Sequence, residues 1–260
     1  MKKIALLISF LIIFTFPLAA KKGEKEEVKL DVNMTIIDGV VGDEKELPIA
    51  SQVYPLVYWQ RIEKEREPNY FNRVNNFVRK TDDIFQDIEN YVKEDLKLSY
   101  GGTSEQLESM NYGKTKCYGV SLLIQDILAK EGIESSILML GYNKGGKYKI
   151  PVRIYNPDTD SNYTINTIGH AILLTYFEDK IKLISPTAFL LKNTRDFEPE
   201  GKDEKELITK ALIHYNVNDK FYAPPDKLTA LILPTLNGKN YRLYEVEYKE
   251  ILEKSKILEK

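Results

Sequence analysis

The sequence predicts an α+β domain, and three observations carry that reading. Apolar residues recur at three-to-four spacing through the first part of the chain. A long apolar-striped segment begins at Cys117 and stops at Gly132, and the segments after Gly132 shorten into strand-like runs. Helices first and strands afterwards indicate N-terminal helices packed on an antiparallel β-sheet, rather than a doubly wound parallel sheet.

Taken in order, residues 1–20 read as an export signal. Lys2 and Lys3 supply positive charge, Ile4 to Phe16 is an apolar run, and Pro17-Leu18-Ala19-Ala20 offers small residues before Lys21-Lys22. The run is short for a membrane span, so no stable span is expected after cleavage, with an uncleaved N-terminal anchor as the alternative. The protein is therefore expected to be exported, either periplasmic or secreted. Residues 21–50 are Lys/Glu-rich and read as a polar tether followed by weak extended structure.

Residues 51–260 are expected to form a single domain with a helical part (51–99), a core (100–190) and a C-terminal extension (191–260). From Tyr54 to Leu98 the stripe includes Phe71, Val74, Phe77, Val78, Ile84, Phe85, Ile88, Val92 and Leu96, with breaks at Pro68 and near Gly101-Gly102. Thr103-Ser104-Glu105-Gln106 looks like the capped start of a short helix. The helix from Cys117 carries Leu122, Leu123, Ile124, Ile127 and Leu128 on its buried side, and Gly132 suits its C-terminal stop. Ser136–Tyr142, Lys147–Tyr155, His170–Phe177 and Lys180–Ile184 read as strands, the last two joined by a tight Glu178-Asp179 turn. Residues 156–160 form a turn cluster. Leu207–His214 looks helical, and the Asn237-Gly238 region looks like a hairpin before a charged C-terminal helix.

Composition excludes some functions. The net charge of −2 comes from intermixed Lys and Glu, and no basic face for nucleic acid emerges. One cysteine and two histidines cannot build a closed structural zinc site, and the visible residues require no metal or cofactor. Gly101-Gly102 and Gly145-Gly146 lack the strand–loop–helix setting of a phosphate loop. Asp82-Asp83 and Glu204-Lys205-Glu206 read as solvated helix faces, and the 17 tyrosines chiefly as packing.

The chemistry centres on Cys117, the one cysteine. It cannot form an internal disulfide, and a helix N-terminus favours the thiolate that a nucleophile needs. A thiol nucleophile wants an imidazole to take and return its proton. His170 begins an apolar strand, where functional groups are commonly presented, whereas His214 ends a Lys-rich helix and reads as solvated or capping.

Three motifs in order then resemble the transglutaminase-like superfamily, with its papain-like cysteine protease fold. They are Gly113-Lys-Thr-Lys-Cys117 with the helix behind it, Gly132-Ile133 leading to a strand that reaches Gly141-Tyr142, and Gly169-His170-Ala171 with the hairpin ending Ile184-Ser185-Pro186-Thr187. The resemblance spans roughly residues 100–190. It implies a transglutaminase-like core with Cys117 as nucleophile and His170 as acid–base. Backbone N–H groups at the helix start would hold the oxyanion. An acyl-enzyme formed from a protein or peptide substrate would be resolved by water or by an amine.

Two positions depart from the family. Ser185 stands where the family carries an aspartate that orients the histidine, and Ile172 replaces the usual aromatic after His-Ala. Ser185 reads either as a neutral third member or as a plain turn residue before Pro186. The alternative to an enzyme is therefore a catalytically degenerate transglutaminase-like binding module of the cell envelope. A further alternative is a structural envelope protein in which Cys117 pairs with another chain.

Overall fold

The computed structural model describes residues 30–40, 64–65, 67–102, 107–149, 153–156, 161–164, 170–177, 179–191, 198–216, 224–233 and 240–258. The expected signal segment, the capped start at 103–106 and the turn residues at 157–160 and 237–238 lie outside them.

An eight-stranded antiparallel sheet organises the chain. Its strands are β1 (Thr35–Val40), β2 (Glu134–Lys144), β3 (Lys147–Lys149), β4 (His170–Phe177), β5 (Lys180–Ile184), β6 (Glu200–Gly201), β7 (Lys227–Ile232) and β8 (Asn240–Glu247). Their order is β1-β8-β7-β2-β4-β5-β6, with β3 folded back on the end of β2. The β2–β3 turn is Gly145-Gly146, with φ of +57° and +72°. Two successive positive φ values make the twist that suits a two-residue hairpin, which explains the paired glycines. Arg153–Asn156 and Ser161–Thr164 form a separate antiparallel pair, so the alternating stretch read as one strand over 147–155 is two strands in different sheets.

Five α-helices lie among the described residues: α1 (Tyr70–Asn76), α2 (Ile84–Asn90), α3 (Cys117–Lys130), α4 (Glu204–Asn216) and α5 (Tyr248–Leu258). Alternation along the strands shows where they pack. Ile137, Met139, Ala171, Leu173 and Leu243 join α1, α2 and α3 in one core cluster. The intervening Leu138, Leu140, Ile172, Leu174 and Tyr244 join α4 and α5 in a second. The sheet is thus covered on both faces. That accounts for the near-continuous apolar runs of β2 and β4, since a half-solvated antiparallel strand would alternate with polar residues. The fold class is α+β as expected, but the C-terminal extension supplies a second helical layer that the sequence reading left unassigned.

The N-terminal stripe is interrupted more than its spacing suggested. α1 ends at Asn76, Phe77 turns to an extended conformation, and α2 starts only at Ile84. The Asp87 carboxylate accepts the backbone N–H groups of Lys80 and Thr81, each at 2.7 Å, and this pins the intervening turn. Asp83 is exposed, as expected, and it also caps α2: its carboxylate accepts from Phe85 N and Gln86 N at 3.1 Å. With the turn placed there, Phe71 and Val78 point outward, at 52% and 65% exposure.

Glu204 corrects a surface reading. It sits in the first turn of α4 and accepts hydrogen bonds from Tyr176 Oη at 3.0 Å and from Tyr244 Oη. These bonds tie the start of α4 to the sheet.

Candidate active site

α3 is the central helix of the site. Every residue from Tyr118 to Leu128 is buried, so the helix is enclosed on all sides rather than along one stripe. Full burial of Leu122, Leu123 and Ile127 contributes about 1.5–3 kcal/mol each. Its polar residues are satisfied inside. Ser121 Oγ donates to the Cys117 carbonyl at 2.6 Å, and Gln125 Nε2 donates to the Ser135 carbonyl at 3.1 Å.

The C-terminal end is closed by Ile133 N–H on the Leu128 carbonyl (2.8 Å) and Gly132 N–H on the Ala129 carbonyl (3.1 Å). Gly132 stands at φ +76°, the left-handed position that this stop requires.

The N-terminal end has no side-chain cap. Lys116 precedes it in an extended conformation. The lead-in is held by a short parallel pairing of Ser99-Tyr100 with Lys114-Thr115. The Cys117 thiol sits where the N–H groups of Ala171, Tyr118 and Cys117 itself are directed at sulfur. Ala171 is the residue after His170, so helix start and strand start meet at the thiol.

His170 opens β4 opposite Leu140. Its Nε2 lies 3.3 Å from Ser185 Oγ and 3.4 Å from Thr187 Oγ1, and those two hydroxyls are 2.8 Å apart. Ser185 is placed there because β5 ends at Ile184 opposite Leu173, and Pro186 then starts a 3₁₀ turn through Phe189. That turn brings Thr187 back beside Ser185. Of the three residues singled out from sequence, Ser185 lies beside the His170 imidazole, and the thiol meets the His170 strand at the Ala171 backbone.

Sequence reasoning missed two side chains here. Thr187 enters the sequence pattern only as the end of the hairpin motif, with no role of its own. Tyr215, in the last turn of α4, packs its ring on the His170 imidazole at 4.5 Å between centroids and 39° between planes, and its hydroxyl reaches Ser185. His214 is exposed as expected, although its ring packs edge-on against Tyr215.

The electrostatics overturn one expectation. The helix start was expected to lower the thiol pKa, yet burial pushes the Cys117 thiol up despite the three N–H donors and the nearby Lys116. Burial also pushes the His170 imidazole down to about 4, with His214 adding repulsion. At neutral pH both resting groups, the Cys117 thiol and the His170 imidazole, are neutral.

The consequence for reactivity has a definite sign. A raised thiol pKa means less thiolate at pH 7 than an ordinary cysteine carries, so iodoacetamide should alkylate native Cys117 more slowly than the same chain unfolded in urea. The native rate should keep climbing about tenfold per pH unit up to about pH 9. Mass spectrometry of quenched samples reads both rates; a native rate that levels off between about pH 5 and 7 would show a preformed thiolate instead.

No protein-family model matches the chain, and no curated protein matches it.

Proposed function

We propose that this chain is an exported, transglutaminase-like cysteine enzyme that transfers the acyl group of a peptide or amide substrate through Cys117. The observation that carries the reading is the seat of the thiol, held by N–H groups at the start of α3 and against the strand that begins with His170. Nε2 of His170 is engaged by Ser185 and Thr187, which leaves Nδ1 as the proton acceptor.

In this mechanism Nδ1 takes the thiol proton as sulfur bonds to the substrate carbonyl carbon. The oxyanion is held by backbone N–H groups at the helix start. Collapse breaks the C–N bond, the imidazolium returns its proton to the departing amine, and a thioester remains on Cys117. Water then releases the acid, or an acceptor amine forms a new amide. Ser185 orients the imidazole without adding charge.

A second reading is favoured by a specific observation. A thiol pushed up, an imidazole pushed down and a neutral Ser185 together describe a weak nucleophile. That is what a degenerate binding module retaining the fold would show.

Acylation separates the two. A p-nitrophenyl acyl ester should release about one equivalent of nitrophenol per chain in a fast phase, and intact-mass spectrometry should place the acyl group on Cys117. Cys117→Ala should lose both, with a drop of about 10³-fold or more. Adding hydroxylamine with a glutaminyl peptide then distinguishes hydroxamate from free acid. Equal acylation of the wild type and Cys117→Ala would retire the enzyme reading.

A further inference from the structure

The chain as a whole is close to neutral, but the fold gathers unpaired positive charge on the ribbon that leads into Cys117. In that ribbon Ser99 N–H donates to the Gly113 carbonyl at 2.9 Å and Gly101 N–H to the Thr115 carbonyl at 2.8 Å. Lys114 and Lys116 face outward on either side of the buried Thr115, and Lys116 runs extended into α3. Residues two apart in an extended chain stand about 6–7 Å apart, which is also the repeat of every second side chain in an extended peptide.

Lys97 joins them from the turn before the ribbon. It follows the π-helical turn Tyr91–Asp95, which Leu98 N–H closes on the Val92 carbonyl at 3.0 Å. Lys97 stands at φ +52°, the one non-glycine residue in the left-handed region among the described residues. Glycine would sit there with less strain, so the backbone does not account for a lysine. Its carbonyl lies 3.4 Å from where a Cβ on Gly113 would be, which sets Lys97 beside the Gly113-Lys114 step. The stem of Lys114 runs along Gly101 and Gly102, at 3.7 and 3.5 Å from the Cβ positions there.

Other lysines, such as Lys80, Lys182 and Lys202, pair with carboxylates. Lys97, Lys114 and Lys116 pair with none among the described residues, the exposed Glu108 included. Two exposed rings complete the surface: Tyr100 (47%) opposite Thr115, and Tyr112 (77%) two residues before Lys114.

We propose that this ribbon is the docking surface for an acidic, extended segment of the acyl donor, whose carboxylates pair with Lys97, Lys114 and Lys116 and whose apolar side chains rest against Tyr100 and Tyr112. The inference rests on the acyl-transfer reading above and names the kind of substrate that site takes.

The chemistry favours a peptide over other anions. Outward lysines at alternate positions match an extended chain with acidic side chains at the same repeat, and exposed phenol rings suit apolar or aromatic partners. The net charge of −2 works against long-range attraction of a polyanion such as nucleic acid. Because Lys116 immediately precedes Cys117, a segment docked along the ribbon leads its next carbonyl toward the thiol.

Fluorescence anisotropy on the full chain carrying Cys117→Ala reads binding without an acyl-enzyme. The probes are short rhodamine-labelled peptides with a Phe-Gln core flanked either by glutamates or by lysines. The glutamate peptide should bind about tenfold more tightly at low salt, and the difference should vanish at about 1 M salt. Lys114→Glu with Lys116→Glu should invert the preference. Lys97→Gly should cut it by about threefold while the thermal midpoint stays level or rises, since strain is relieved as the charge is lost.

Equal affinity for the two peptides would overturn the proposal, as would a preference that survives the charge reversal. A short single-stranded DNA that binds as tightly as the glutamate peptide would also overturn it, by showing a general polyanion surface. Binding needs no turnover. Charge-selective binding in a chain that never acylates would therefore defeat the enzyme reading and leave the docking surface standing, while acylation of Cys117 by a small ester with no peptide charge preference would do the reverse.

Discussion

Ser185→Asp is expected to raise the rate of acyl-enzyme formation by about 10²–10⁴-fold, because it restores charge where the reaction creates imidazolium. In the wild type the imidazole is pushed down to about 4 by burial and by His214, and its Nε2 faces two neutral hydroxyls. Taking the thiol proton therefore creates a cation that neither hydroxyl neutralises. A carboxylate on Nε2 stabilises that cation in the transition state more than it affects the neutral ground state, which is the condition for a gain in kcat.

The site can receive the carboxylate. Ser185 is 6% exposed. Thr187 Oγ1 lies 2.8 Å from its oxygen and the Tyr215 hydroxyl also reaches it, so both can donate to the new group. The sign is checked by titrating His170 in the variant, where its pKa should rise well above 4, and by stopped-flow acylation. Ser185→Asn supplies the shape without the charge and should gain little. If the imidazole pKa rises in Ser185→Asp while acylation stays at the wild-type rate, the third position is not what limits this chemistry.

Much of this site was legible in the sequence because its parts lie in short local motifs. Cys117 opens a helix whose stop at Gly132 is itself a local signal, and the His170 and Ser185 positions belong to one hairpin, so register alone brings them together. Tyr215 belongs to a helix in the opposite layer, and no local pattern says which strand end that helix will reach. The thiol pKa was misread for a related reason. The helix start is a local feature, but the burial that outweighs it is set by how remote parts of the chain pack against α3.

Polar contacts show the same division. Glu204 looks solvated in sequence, and no local pattern there marks Asp126 as a buried, paired carboxylate. Their partners are remote: Tyr244 for Glu204, and Lys64 for Asp126. Likewise the stripe of α3 could not show that its polar side is enclosed too, because Gln125 finds its acceptor on Ser135 in the next strand.

Asp126 carries the largest expected effect on stability. It projects from the middle of α3 and is 8% exposed. Its carboxylate accepts from Lys64 Nζ at 2.9 Å on one oxygen and 2.7 Å on the other, and from Tyr70 Oη at 2.7 Å. Lys64 is 3% exposed and Tyr70 fully buried. Burial pushes the Lys64 pKa down and Asp126 opposes that shift, so desolvation and attraction act against each other at this pair.

Asp126→Ala removes the anion and leaves an ammonium and a phenol in an apolar setting, which should cost about 3–5 kcal/mol. Replacing both charges with apolar groups of similar size, Lys64→Met with Asp126→Leu, removes the desolvation problem as well as the attraction. That double variant should sit within about 1 kcal/mol of the wild type or above it. Urea unfolding at pH 7 measures both, with equal m-values required for the comparison. A loss below about 1 kcal/mol in Asp126→Ala would mean that Lys64 escapes to water and the pair does not fasten the N-terminal segment to α3. A double variant as unstable as the single one would show instead that the ion pair is itself a net source of stability, against the usual balance for buried charges.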